Sequence, residues 1–189
     1  MKKQIFNGLV LAGGRSSRMG QDKGLLQAPD GRNLITITEN LLHQVGASAV
    51  FISSHNRDIA DALQDKYPDR GPVSGIHAAL LKHHDAPLLV LPVDMPLVTA
   101  DLLNTLVQIG FDQETVCCFE QQCLPLFLFD TAVALQQAEN KLREKDNISV
   151  WRFIKGLNHL EVNTLETQCF KNANNPQQWL ECQQLMDNE

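Results

Sequence analysis

Small residues, positive charges and one carboxylate stand where a chain could handle phosphates. Residues 11–23 read LAGGRSSRMGQDK. Gly13, Gly14 and Gly20 allow the backbone to come close to a ligand and turn its N–H groups inward, while Arg15, Arg18 and Lys23 can neutralise phosphate oxygens. Leu11 and Ala12 lead into that loop. In outline this is a triphosphate cradle, and it is neither a Walker A sequence nor a GxGxxG fingerprint. A second stretch, LPVDMP at 91–96, sets the carboxylate of Asp94 just past an apolar run. A lone aspartate there could cap a turn; its position favours holding magnesium, which commonly takes one or two carboxylates together with substrate phosphates and water.

These residues need a scaffold that places strand ends side by side. QIFNGLVLA at 4–12 is apolar without helical period and ends in glycines, so it reads as a buried strand. Leu34, Ile37, Leu41, Leu42 and Val45 recur at helical spacing over 33–46, where Gly46 stops the pattern. Strands are expected at 49–53 and 87–93, a short helix at 57–64, a loop at 65–73, a helix from near Ser74, and another over 99–108 capped by Thr99. Strand alternating with helix implies an α/β fold with a mostly parallel central sheet, helices on both faces and ligands at the carboxyl ends of the strands. Further on, apolar stretches lie at 115–119 and 123–129, helices near 131–144 and 146–156, a strand near 159–163, and a last helix from Pro176. No repeat or linker divides the chain, so one domain over residues 1–189 is expected.

The loop at 11–26 resembles the signature LAGGxxxRMGxDKxxL of the molybdenum cofactor guanylyltransferase family and matches it at every specified position. LPVDMP resembles that family's DxP motif, GPVSG at 71–75 its GPLAG-like turn, and FKNANNPQQW at 170–179 its N-x-N-x-P element. The resemblance runs from Ile5 to about Leu180. It implies a Rossmann-like three-layer α/β/α nucleotidyltransferase fold and transfer of GMP from Mg-GTP to the terminal phosphate of molybdopterin, with release of pyrophosphate. It also implies roles. Asp94 holds the metal, Lys23 and Arg18 engage the triphosphate with Arg15 behind them, and Leu11, Ala12, Gly13 and Gly14 contact the nucleotide. Gly71 and Gly75 let their turn close over the base, and an upstream aspartate binds the nucleotide. Asp65 aligns with that aspartate and Asp69 competes. Where relatives often carry asparagine after the second strand, this chain has Ser53, with Asn56 nearby. Asn172 and Asn174 are the acceptor-side amides, against the ordinary role of asparagine in turns. Relatives bring basic residues to the pterin phosphate from the region of 146–153, where this chain offers only Arg152.

A cytidylyltransferase for molybdopterin and a sugar-phosphate nucleotidyltransferase share such a loop, but relatives that use CTP tend to carry LAAG at the place of Leu11 to Gly14. A non-catalytic carrier of the cofactor has no need of both Lys23 and Asp94. Protein partners expected from the resemblance are those that deliver the cofactor and the chaperones of receiving molybdoenzymes.

Composition narrows the classes. A net charge of −6 argues against a nucleic-acid binder, and no apolar run approaches the ~20 residues that span a bilayer. Five cysteines with no CxxC pair fit a reduced, cytoplasmic setting. Cys118 and Cys123 with a histidine match no familiar ligand spacing. His43, His55, His77, His83, His84 and His159 form no triad or metalloprotease pattern and read as surface or packing residues.

Overall fold

The computed structural model describes residues 4–13, 23–56, 58–144 and 148–186. Six strands form one sheet in the order β2-β1-β3-β5-β4-β6. They are β1 (Asn7–Leu11), β2 (Val50–Ser53), β3 (Leu88–Pro92), β4 (Val116–Phe119), β5 (Leu126–Leu128) and β6 (His159–Val162). All neighbouring pairs run parallel except those of β5, which lies antiparallel to both β3 and β4. The reversal has a simple cause. Residues 120–125 are too few to carry the chain back across the sheet, so β4 and β5 can meet only as a hairpin.

Helices α1 (Leu34–Gln44), α3 (Ala100–Asp112) and α6 (Pro176–Met186) cover one face, and α2 (Pro72–Lys82), α4 (Thr131–Arg143) and α5 (Val150–Ile154) the other. Alternation along the strands serves both cores. Val10, Leu89 and Leu91 join Leu34, Leu42, Leu103 and Trp179 on the first face; Leu9, Leu88 and Val90 join Ile76, Leu80, Ala138 and Phe153 on the second. Burial on two faces explains why β1 and β3 read as continuous apolar runs.

Local chemistry sets the helix limits. Asn33 accepts from the Thr36 N–H at 2.8 Å, and Gly46, with φ of 95°, follows the last turn of α1 in the left-handed region that glycine tolerates. Thr99 caps α3 as expected, accepting from the Leu102 N–H at 3.4 Å. Two expectations fail. Residues 58–64 form turns, not a helix: the Asn56 side chain accepts from the Asp58 N–H, Asp61 has φ of 58°, and the Leu63 N–H donates to Ile52 O at 2.7 Å. This ties Leu63 beside the end of β2. The helix expected over 146–156 shortens to α5 because Ser149 acts as its cap, its hydroxyl accepting from the Arg152 N–H.

Candidate active site

Register brings the chemistry together. Leu11 pairs with Ser53 on one side and Pro92 on the other, so the carboxyl ends of β2, β1 and β3 lie level. Two bonds continue that alignment past the strands: the Ala12 N–H donates to Ser53 O at 2.9 Å, and the Val93 N–H to Leu11 O at 3.2 Å. A cavity of about 310 Å³ opens at these ends, lined by Leu11, Ala12, Gly13, Lys23, Asp94 and Asn172 among others. Ligand sites at the carboxyl ends of parallel strands are the rule for open α/β sheets.

Lys23 opens a short 3-10 turn (Lys23–Leu25), and its ammonium reaches across the cavity mouth. Its Nζ lies 3.6 Å from Asp94 Oδ2 and donates to Asn174 Oδ1 at 2.5 Å. Both partners of the ion pair keep some access to solvent, 20% for the lysine side chain and 26% for the aspartate, so an incoming phosphate or cation can reach them. The main chain of Asp94 is fixed separately, its carbonyl accepting from the Ala173 N–H at 2.8 Å. The N-x-N-x-P segment therefore braces the site twice. Asn174 holds the lysine, Ala173 holds the aspartate loop, and Asn172 presents its amide to the cavity. Gln178 locks the segment in turn by accepting from the Asn174 N–H at 3.0 Å.

On the β2 side, Ser53 donates from its hydroxyl to Asp65 Oδ1 at 3.5 Å, and His55 Nε2 lies 3.7 Å from Asp65 Oδ2. Burial pushes the Asp65 carboxyl above its ordinary range, and the neighbouring His55 and the Ser74 and Ser53 hydroxyls pull it partly back. Asp69, the competing residue, sits exposed in a turn with φ of 63°. Only Asp65 of the two is brought against the strand ends.

The two glycines of GPVSG do different work. Gly71, with φ of 78°, starts α2 in a conformation other residues resist, and Pro72 beside it lines the cavity. Gly75 lies inside the helix, where a Cβ would come within 2.9 Å of Leu11 Cδ2 and closer still to Ser53 Oγ. Its lack of a side chain lets α2 pack closely on β1 and β2. Arg152 is exposed on α5 and is not among the residues lining the cavity. Gly14, Arg15 and Arg18 lie outside the described residues.

The lining chemistry suits a hard cation. Asp94 and Asn172 offer side-chain oxygens, and no thiolate or imidazole is among the described residues lining the cavity. Among the described residues no group of three or more His, Cys, Asp or Glu could hold a metal alone, so a cation here would need phosphate and water to complete its shell. The cysteines play no such part. Burial pushes the thiols of Cys117 and Cys118 up to about 11 and about 12, which keeps them protonated and poor ligands.

A lysine, a carboxylate and a glycine strand end gathered at the level ends of parallel strands define a nucleotidyltransferase of the three-layer α/β/α type. Comparison with known proteins agrees. The MobA-like NTP transferase domain model matches residues 8–161, and the chain belongs to that family. Molybdenum cofactor guanylyltransferase of Xanthomonas euvesicatoria pv. vesicatoria is 39% identical over 182 residues, covering 92% of each protein. Among solved structures, molybdopterin-guanine dinucleotide biosynthesis protein A from Archaeoglobus fulgidus superposes with a TM-score of 0.78 at 19% identity, over 97% of this chain and 100% of that one. The 2-C-methyl-D-erythritol 4-phosphate cytidylyltransferase from Thermus thermophilus shares the fold with a TM-score of 0.71 at 14% identity, over 95% of this chain and 98% of that one. No helix among the described residues is long and apolar enough to cross a membrane.

Proposed function

We propose that the protein transfers GMP from GTP to the terminal phosphate of molybdopterin, or of the molybdenum cofactor, and releases pyrophosphate. The observation that carries this reading is the meeting of Lys23, Asp94 and Asn172 on one cavity at the strand ends. The name of the relative that shares 39% of its residues supplies the substrates.

The acceptor phosphate is already ionised at neutral pH, so the reaction asks for positioning and charge neutralisation more than for a base. Lys23 turns from Asp94 to the triphosphate oxygens, aided by Arg18 and Arg15. The Leu11 to Gly14 backbone lies along the nucleotide, Asp65 and Ser53 take its nucleoside end, and Asn172 faces the acceptor. Asp94 and the amide of Asn172 would hold magnesium, which when bound supplies positive charge to the phosphates as they react. The reaction belongs in the cytoplasm, with cofactor-delivery proteins and molybdoenzyme chaperones as partners and neither nucleic acid nor membrane as a ligand.

The test is to incubate the protein with magnesium, molybdopterin and either GTP or CTP, following pyrophosphate and the dinucleotide product by mass. Product with GTP alone supports the reading. Product with CTP alone keeps the chemistry and overturns the base, and nucleotide binding without product with either points to a sugar-phosphate acceptor or a carrier.

A further inference from the structure

Gly13 lines one cavity and lies against His55, which lines another. The first is the one lined by Gly13, Lys23 and Asp94. The second, of about 760 Å³, lies beyond the end of β2 and is lined by His55, Ile59, Asp65 and Pro68 among others. His55 stands between Gly13 and Asp65. A Cβ on Gly13 would lie 3.4 Å from its Cδ2 and 3.5 Å from its Nε2, while the same Nε2 is 3.7 Å from Asp65 Oδ2. A nucleotide with its phosphates at Lys23 and Asp94 would have to pass Gly13 for its base to reach the second cavity.

The pair waiting there is unequal in a useful way. The Asp65 side chain is only 7% exposed and is fixed by the Ser53 hydroxyl, whereas the His55 side chain is 48% exposed and open to a ligand. The backbone carrying His55 is held by two local bonds. Ser54 Oγ accepts from the Asn56 N–H at 3.1 Å, and Asn56 Oδ1 accepts from the Asp58 N–H at 3.0 Å. A buried two-oxygen acceptor thus stands beside an accessible ring donor carried on a locally bonded backbone.

We propose that His55 is a specificity-determining residue for the base: its ring N–H donates to O6 of guanine while the Asp65 carboxylate accepts from the N1–H and the 2-amino group. Guanine offers that one acceptor and those two adjacent donors together. Adenine presents an amino group at the position of O6 and has no N1–H, so it would leave His55 and Asp65 mismatched. The inference rests on the nucleotide reading above and adds to it a residue of the loop after β2.

The experiment is titration calorimetry of the purified full chain with magnesium and either GTP or 2-aminopurine riboside triphosphate, which keeps the 2-amino group but lacks both O6 and the N1–H. His55→Ala should weaken GTP binding about tenfold, the size of one lost hydrogen bond, with KM carrying the change in turnover assays. Binding of the 2-aminopurine nucleotide should be the same in both proteins. His55→Gln, which keeps a side-chain donor, should recover most of the loss. Equal GTP affinity in wild type and His55→Ala, or an equal loss for both nucleotides, overturns the role of His55 while leaving the guanylyltransferase reading intact. Failure of the wild type to bind GTP at all removes both.

Discussion

Lys23 Nζ and Asp94 Oδ2 stand 3.6 Å apart on one cavity, so the cation and the carboxylate that line it are paired with each other. Neither group is buried deeply enough for the pair to contribute much to stability. Replacing either one should therefore act on turnover and hardly on folding. Asp94→Ala is expected to abolish pyrophosphate release with an unshifted melting curve, because the backbone bond from Ala173 to Asp94 survives the change. Lys23→Met should lower kcat by about 30-fold to 1,000-fold, the roughly 2–4 kcal/mol that follows loss of a preorganised electrostatic donor. Unchanged turnover in either variant would overturn its assignment.

Asn174 accepts from the Lys23 ammonium and so helps to set its position. Asn174→Ala should reduce kcat by about tenfold, since hydrogen bonds to charged groups contribute roughly 1.5–3 kcal/mol and part of that holds the lysine in place. The check is a double-mutant cycle. Lys23→Met should cost less in the Asn174→Ala background than in the wild type, and strict additivity would show that the two residues do not act together.

Gly75→Ala tests the packing of α2 on the strand ends. The added Cβ meets Ser53 Oγ and Leu11 Cδ2 at less than van der Waals separation, so a loss of about 1–3 kcal/mol is expected from chemical denaturation. Adding Ser53→Ala should restore part of it by removing the nearest atom. A fully stable Gly75→Ala protein would mean that α2 can shift away from β1 and β2 at no cost.

His77 gives the fold a pH dependence away from the site. It is fully buried on α2, packs edge-on against Tyr67, and neither ring nitrogen has a hydrogen-bond partner among the described residues. Burial pushes its pKa below the usual histidine value; Glu139 raises it and Lys66 lowers it, both more weakly. The folded state therefore prefers the neutral ring, and the unfolded chain takes up the proton first as pH falls. Stability should be complete above the ordinary histidine pKa of about 6.5 and decline as pH drops through that value toward the depressed one. Urea denaturation at several pH values should show a smaller decline for His77→Leu than for the wild type; identical slopes would remove His77 as the source.

Much of this architecture was legible because the residues concerned obey local rules. β1 and β3 announce themselves by unbroken apolar runs, α1 by its spacing and Gly46, and α3 by Thr99. What escaped depends on partners far away in sequence. Nothing near Lys23 says that Asn174 will hold its ammonium, and nothing near Asp94 says that Ala173 will hold its carbonyl. Gly75 looked like a turn glycine because GPVSG was read as a loop; its packing role appears only once Leu11 and Ser53 are set against it. The expected helix at 57–64 failed because Leu63 bonds to Ile52, a tertiary contact that outweighs modest helical spacing. His55 was grouped with the other histidines as a surface or packing residue, a reading that fits the burial of His77 and the exposure of His55. Its position two residues beyond the end of β2, where open α/β sheets bind ligands, was the available signal.

The bracing of Asp94 and Lys23 by residues 173 and 174 also sets when in the life of the molecule the site can exist. During synthesis the first three strands and the aspartate loop leave the ribosome long before Asn174 does. A nascent chain holding all of β1, β2 and β3 would still lack the groups that position its lysine and its aspartate. The arrangement of Lys23 and Asp94 thus arrives only once residues 173 and 174 have been made and folded against them.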